Sequence, residues 1–303
     1  MTRHHKTNYH YFHVIGDCPS FIDIHKSYQN LAAKNPYITT ISLNDFRQRI
    51  NRTGGTDQHL LNDPNNVFIL WQDDTIATSR KCKVIIRYSE MVNDIANTGH
   101  QKELLLNFQN NMNSYDLILV HSKSAEKHLK RLTDKVSYLP IGYDEQVYGK
   151  PDYTSPKEHD LAYFGSYVGR RIKIVEYLKN HFGDRFHDLP CWDDGRRDIL
   201  NKSKINLIIP WCKDPSFAAF RMLHTIGTSA AMLTEKTDTY PAKKDKHIIQ
   251  ISDFDDENTT IKEIEHALTL DLQSIARRAH DDLSKITVDV SMEQLIELSK
   301  TLF

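Results

Sequence analysis

Residues able to do chemistry follow the short apolar runs of this chain. Residues 161–172 read Leu-Ala-Tyr-Phe-Gly-Ser-Tyr-Val-Gly-Arg-Arg-Ile: an apolar strand, a loop holding Gly165, Ser166 and Gly169, then Arg170 and Arg171 opening a helix. Glycine lets backbone N–H groups come close to a phosphate, and a helix N-terminus adds a favourable dipole. Two arginines offer bidentate charge to a diphosphate. The bland alternative is a solvated basic helix start. In either case both arginines are expected at the surface, so that replacing them leaves the fold intact. Neither G-x-G-x-x-G nor G-x-x-x-x-G-K-[ST] occurs, so nucleotide binding here is of another kind.

Asp73 and Asp74 follow the apolar run Val67 to Trp71, where a carboxylate is placed to deprotonate an acceptor hydroxyl. Turn chemistry alone also favours Asp there. His121, after Asp116 to Val120, has the same standing and an ordinary pKa range suited to proton transfer, with a satisfied edge histidine as the competing reading. Glu90 is a weaker candidate. Asp253-Phe254-Asp255 has the D-x-D spacing of a metal site, but it sits before an acidic helix start that serves the helix dipole, so no metal is assigned to it. His4, His5, His10 and His13 straddle the start of the chain and its first strand, and are read as no metal tail. Cys18, Cys82, Cys191 and Cys212 show no C-x-x-C spacing and read as reduced thiols.

The elements that must position these residues are strands and helices in alternation. Strands are predicted at Tyr11 to Ile15, Tyr37 to Leu43, Val67 to Trp71, Val84 to Tyr88, Asp116 to Val120 and Val136 to Leu139. A second series runs through Leu161 to Phe164, Phe186 to Leu189, Ile205 to Ile209, Ala230 to Leu233 and Ile248 to Ile251. Helical spacing separates them at Ser20 to Lys34, Glu103 to Met112, Ser124 to Leu132, Arg171 to Phe182, Arg196 to Ser203, Phe217 to Ile226 and Thr260 to Leu270. Two more stretches, Ser274 to Ser284 and Met292 to Leu302, close the chain. The alternation predicts an α/β fold of two Rossmann-like domains facing a cleft, 1–150 and 151–303, with a linker at 149–156 and the C-terminal helix placed to pack back on the first domain. Ligands of such sheets bind beyond the carboxyl ends of the strands, which adds Gly16 and Trp211 to the candidates.

Length and composition fit this picture. The 303 residues suggest about two domains. Hydrophobic residues at 39% and charged residues at 26% exclude disorder as the main state. The net charge of −1 excludes a strongly basic nucleic-acid clamp. Residues 1–150 hold 18 Lys and Arg against 15 Asp and Glu, and the rest 21 against 25, so the first half is mildly basic. No stretch is apolar enough to span a bilayer, and the first residues carry no signal-peptide run, so a cytoplasmic protein is expected.

Phe164-Gly-Ser-Tyr-Val-Gly-Arg-Arg, Lys204-Ile-Asn-Leu-Ile and Arg221-Met-Leu-His with Ala230-Ala-Met-Leu-Thr-Glu resemble the carboxyl half of GT-B glycosyltransferases, especially the bacterial and phage group related to spore-maturation CgeB proteins. Val120-His-Ser, Leu139-Pro-Ile-Gly-Tyr-Asp and Trp71-Gln-Asp-Asp are similar to that group's amino domain and hinge. The resemblance covers roughly residues 65 to 255. It implies transfer of a hexosyl or pentosyl group from a nucleotide-sugar donor held by the second domain, with no metal and no further cofactor. Arg170, Arg171 and Lys204 would offset diphosphate charge, and Arg221 would orient the donor. In the family an acidic residue contacts the donor ribose and a Gly ends that helix; here His224 and Ser229 stand in those places.

The acceptor is expected to be a small molecule, a glycan or DNA, the last as in phage enzymes that glycosylate a hydroxymethylated base. A non-catalytic nucleotide-sugar or nucleic-acid binding module is the reading of another class.

Overall fold

The computed structural model describes residues 10–16, 22–71, 79–88, 99–189, 195–210, 219–236 and 247–303. Close contacts divide the chain into two units. The first comprises Met1–His121, Ala125–Leu139 and Val288–Phe303, and the second Ser122–Ser124 and Pro140–Thr287. The run 149–156 therefore lies within the second unit, and the final helix, Val288–Ser299, belongs to the first.

In the first unit six parallel strands are ordered β2-β1-β3-β4-β5-β6. They are β1 (Tyr11–Ile15), β2 (Ile38–Ile41), β3 (Asn66–Trp71), β4 (Lys83–Tyr88), β5 (Leu117–Val120) and β6 (Val136–Tyr138). β3 is buried along its whole length, as expected of a parallel strand covered on both faces. The core gathers Phe46, Phe68, Ile86, Phe108, Ile118 and Val120. The helix Ile22–Ala32 turns Ile24, Tyr28 and Leu31 inward. β2 stops at Ile41, two residues before the apolar run ends, because the Ser42 hydroxyl accepts from the Asp45 amide at 3.0 Å and starts a helical turn. That turn runs into a π-helix, Phe46–Ile50, whose buried ends Phe46 and Ile50 face the core.

The second unit has five parallel strands ordered β11-β10-β9-β7-β8. They are β7 (His159–Phe164), β8 (Phe186–Leu189), β9 (Ser203–Ile208), β10 (Ala231–Glu235) and β11 (Ile248–Ile251). Its core is built from Leu161, Leu178, Ile205, Leu207, Leu233 and Phe254. The helix Arg171–Phe182 buries Ile174, Val175, Leu178 and Phe182, and ends at Gly183, whose φ of +54° closes the turn. The strand order reverses between β1 and β3 in one sheet and between β7 and β9 in the other. At such a reversal the helices following the two strands leave on opposite faces, which opens a crevice at the carboxyl ends. No described helix is long and apolar enough to cross a membrane.

Gly227 ends the helix Ala219–Ile226 at a point where a Cβ would lie 2.2 Å from the Tyr148 carbonyl oxygen. Backbone cannot yield as a flexible side chain does, so Gly227→Ala is expected to cost about 1–3 kcal/mol. The check is urea unfolding: the midpoint falls, while an unchanged midpoint contradicts the close approach.

Candidate functional site

The second unit's site starts at Gly165, the residue after β7. Its φ is +131°, a conformation that favours glycine, and a Cβ there would lie 2.7 Å from Nη2 of Arg221, whose flexible tip would have to shift. Tyr163 holds the loop by donating its hydroxyl to the Ser166 carbonyl at 3.1 Å. Gly169, with φ of +57°, then turns the chain into the helix that Arg171 opens.

Arg171 does not reach into solvent. Its Nε donates to the Ile209 carbonyl at 2.9 Å, and its Nη1 lies 3.4 Å from the Ser166 hydroxyl. Arg221, from the helix after β9, donates Nη1 to the same Ile209 carbonyl at 3.1 Å. The two guanidinium groups thus approach one oxygen from the helices that follow the two switch-point strands. Both arginines are buried, at 6% and 5% exposure. Burial, and then repulsion from Arg171, lowers the pKa of Arg221 to about 9, with Tyr163 acting in the opposite direction.

His224 continues the cluster one helical turn beyond Arg221. Its ring meets Tyr148 edge-on at 5.0 Å and Phe164 at 5.6 Å. Burial, then the charges of Arg196 and Arg221, keep it neutral far below the ordinary histidine range. Arg196 is itself buried and lies over the Phe164 ring at 5.7 Å.

Two sequence expectations are corrected here. Neither Arg170 nor Arg171 is exposed: the Arg170 side chain is only 11% accessible because carboxylates surround it. It binds both oxygens of Glu235, at 2.8 and 2.5 Å, with Asp253 at 3.2 Å and Asp255 at 2.8 Å. Its charge therefore ties the helix start to the ends of β10 and β11, and the D-x-D carboxylates serve that ion pair. Lys204 is the second residue of β9, so it stands at the amino edge of the sheet, opposite the Gly165 loop. It pairs with Asp160 at 2.6 Å, beside Arg185.

The first unit has a parallel cluster at its own switch point. Gly16 follows β1, and a Cβ on it would lie 3.3 Å from His25 Nδ1 and 3.4 Å from Trp71 Cδ1. Trp71 ends β3; the fully buried Arg87 of β4 lies 4.6 Å from its ring centroid and donates to the Tyr28 hydroxyl. His121, 5.9 Å from the Trp71 ring, donates Nδ1–H to the Leu139 carbonyl at 2.9 Å, which leaves Nε2 as the acceptor nitrogen. Burial, then the charge of Arg87, lowers its pKa to about 3. The expectation of an ordinary titration range is therefore overturned, because protonation would place a second cation in a dry site beside Arg87.

Asp73, Asp74, Glu90, Trp211, His4, His5, Cys18, Cys191 and Cys212 lie outside the described residues. Cys82 is a buried free thiol, pushed up to about 11 by burial. His13, expected to bind no metal, is held between Thr39 and Asn66. Among the described residues no group of three or more His, Cys, Asp and Glu could hold a metal ion. Sequence reasoning missed Arg87 and Arg196. A charge inside the apolar run Val84 to Tyr88 was the available signal for the first, whereas Arg196 looks like any basic residue of an exposed helix start.

No family model matches the sequence, and no curated protein matches it. Solved structures do. HepE of Anabaena, solved with UDP and glucose, has a TM-score of 0.63 at 9% identity over 96% of this chain and 100% of that one. An α-glucosyltransferase solved with UDP-glucose and DNA containing an abasic site has a TM-score of 0.56 at 11% identity over 95% and 98%. TarM of S. aureus, solved with UDP, has 0.56 at 10% identity over 78% of this chain, which spans only 55% of TarM. The structural neighbours are GT-B glycosyltransferases, and the chain shares their two-sheet α/β fold.

The neutral His121 has a consequence for stability. The unfolded chain takes up a proton at this residue as pH falls through the ordinary histidine value of about 6.5, while the folded chain does not until about 3. Stability is therefore lost as pH falls through that window, by at most about 1.4 kcal/mol per pH unit from one such group. His121→Asn is expected to flatten the fall between pH 6 and pH 4 in denaturant titrations. An unchanged pH slope would contradict a neutral His121.

Proposed function

We propose that the chain is a glycosyltransferase that takes a sugar from a nucleotide-sugar donor bound by the second unit and passes it to an acceptor hydroxyl, as a relative of the CgeB-like group. The observation that carries this reading is the convergence of Arg171 and Arg221 on the Ile209 carbonyl at the β7/β9 switch point. Two buried cations that repel one another form a strained site for charge, and a diphosphate relieves that strain by accepting from both. As the bond from the sugar to the diphosphate breaks, negative charge grows on the leaving group, and the fixed guanidinium groups stabilise it most at that stage. Such a site does without a metal ion. Gly165 lets the backbone approach the phosphates, with Ser166 and Gly169 shaping the turn. His224, neutral, takes a ribose hydroxyl in place of a carboxylate. The base remains assigned to Asp73 or Asp74, since a histidine held at about 3 is a weak one. Gly16 and Trp211 remain proposed donor contacts.

A second reading concerns the acceptor. DNA is that second candidate, its motive being that one structure of this fold, an α-glucosyltransferase, was solved with DNA.

Thermal-shift screening with UDP, GDP, ADP and CMP finds the nucleotide, because a ligand of the native state raises stability by mass action. UDP is expected to bind, and UDP-sugar is expected to be turned over in the presence of acceptor. In calorimetric titration Arg221→Met should weaken binding by about 10- to 150-fold, the worth of one hydrogen bond to a charged group. Native-like circular dichroism of the variant with undiminished nucleotide affinity would refute the assignment, and nucleotide binding without any turnover would favour the binding module.

A further inference from the structure

The carboxyl end of β10 holds both halves of the contact between Arg171 and Ile209. Thr234 is buried there, and its hydroxyl donates to the Ile208 carbonyl at 2.7 Å, one residue before the oxygen that Arg171 and Arg221 share. Glu235, the next residue, holds the other half. Its carboxylate oxygens accept from Nη1 and Nη2 of Arg170 at 2.8 and 2.5 Å, and Oε1 also accepts from the Phe254 amide at 2.7 Å. Arg170 immediately precedes Arg171, so this carboxylate fixes the backbone from which the Arg171 side chain departs.

As a source of stability the ion pair is a poor choice. A cation at a helix start opposes the helix dipole, and Arg170 occupies the N-cap of Arg171–Phe182 without making a side-chain capping bond. Ser, Thr or Asp at that place would supply the cap directly. The Arg170 and Glu235 side chains are only 11% and 13% exposed, and the attraction within a pair so far removed from water is largely offset by its desolvation. What the pair supplies is direction. A bidentate guanidinium–carboxylate contact sets two planar groups in one orientation, and the Phe254 amide fixes the carboxylate in turn. Phe254 is itself anchored, being buried and accepting at its carbonyl from Tyr177 of the same helix at 2.8 Å.

We infer that Thr234 and Glu235 are positioning residues of the donor site, an inference that rests on the reading of that site as one for a diphosphate. Thr234 sets the peptide that carries the Ile209 oxygen, and Glu235 sets Arg171 by way of Arg170. The influence of Glu235 should therefore fall on nucleotide affinity and vanish once Arg171 is gone.

Calorimetric titration with UDP tests this on the full chain, with native-like circular dichroism required of each variant. Glu235→Gln keeps the shape and removes the charge, and should weaken UDP by about 10- to 100-fold, the range for losing a group that orients a metal ligand. In an Arg171→Met background the same change should cost less than about 2-fold, because residues that act through one another are non-additive. Thr234→Val should weaken UDP by about 5-fold, the worth of one neutral hydrogen bond, and Thr234→Ser, which keeps the hydroxyl, should restore it. The Thr234 variants decide the matter alone if Glu235→Gln does not fold. Equal losses in both backgrounds reveal a general structural role and overturn the inference, as does native affinity in folded Glu235→Gln or Thr234→Val. Hydrogen exchange of the nucleotide-free chain gives a second measure. The Arg171 and Ile174 amides, bonded to the Val168 and Arg170 carbonyls at 3.3 and 3.2 Å, should exchange about tenfold faster in Glu235→Gln. Unchanged exchange overturns the role of Glu235 whatever the nucleotide result. A native chain that binds no UDP, while these amides do quicken in the variant, would strike the diphosphate reading and leave the hold of Glu235 on the helix start standing.

Discussion

Two guanidinium groups and one peptide oxygen set the character of the second unit. Arg171 and Arg221 both donate to the Ile209 carbonyl, each buried and each within reach of the other's charge. That arrangement constrains its surroundings. Gly165 is favoured by its φ of +131°, and a Cβ there would push the Arg221 tip away. The loop must turn with positive φ to leave the Arg171 helix start beside it. His224 must stay neutral, since a further cation would add to the crowding. Arg170 acts differently, as a brace to Glu235, Asp253 and Asp255 that fixes where the helix begins.

The two sheets repeat one device with different chemistry. In each, a glycine follows the first strand and packs against a large side chain from across the switch point: Trp71 for Gly16, and Arg221 for Gly165. The geometry follows from strand order, because the helices diverge there and leave backbone ends uncovered. The first unit fills its floor with Trp71, Tyr28 and the neutral His121 around a single buried Arg87. The second collects Arg171, Arg196 and Arg221. The two clusters differ in chemistry, aromatic in one unit and cationic in the other, so what distinguishes the units lies in side chains rather than in topology.

Much of this was legible in the sequence. The bounds of β1, β11 and the helix Arg171–Phe182 agree with the hydrophobic runs, because parallel strands are rich in apolar residues and the helix shows its period plainly. The edge strand β8 also keeps its expected bounds, although only its Phe186 is buried. The loop at Gly165 could be read from its glycines in a glycine-poor chain. What could not be read was partnership over long separations. Arg170 meets carboxylates 65 to 85 residues away, so nothing local distinguishes it from a solvated arginine. Lys204 was misplaced because its role came from the resemblance; it precedes the expected strand Ile205 to Ile209 and so lies at the amino edge by the carboxyl-end rule itself. The π-helix at Phe46 was missed because its period is neither that of a strand nor that of an ordinary helix.

The central claim is that Arg171 and Arg221 act on one diphosphate. A double-mutant cycle measures this directly, with UDP affinity determined for the native chain, Arg171→Met, Arg221→Met and the pair. The account predicts that each single variant weakens UDP and that the effects are non-additive, with a coupling of at least about 0.5 kcal/mol. Folded single variants that bind UDP as the native chain does, or strictly additive losses, would contradict a shared anion site.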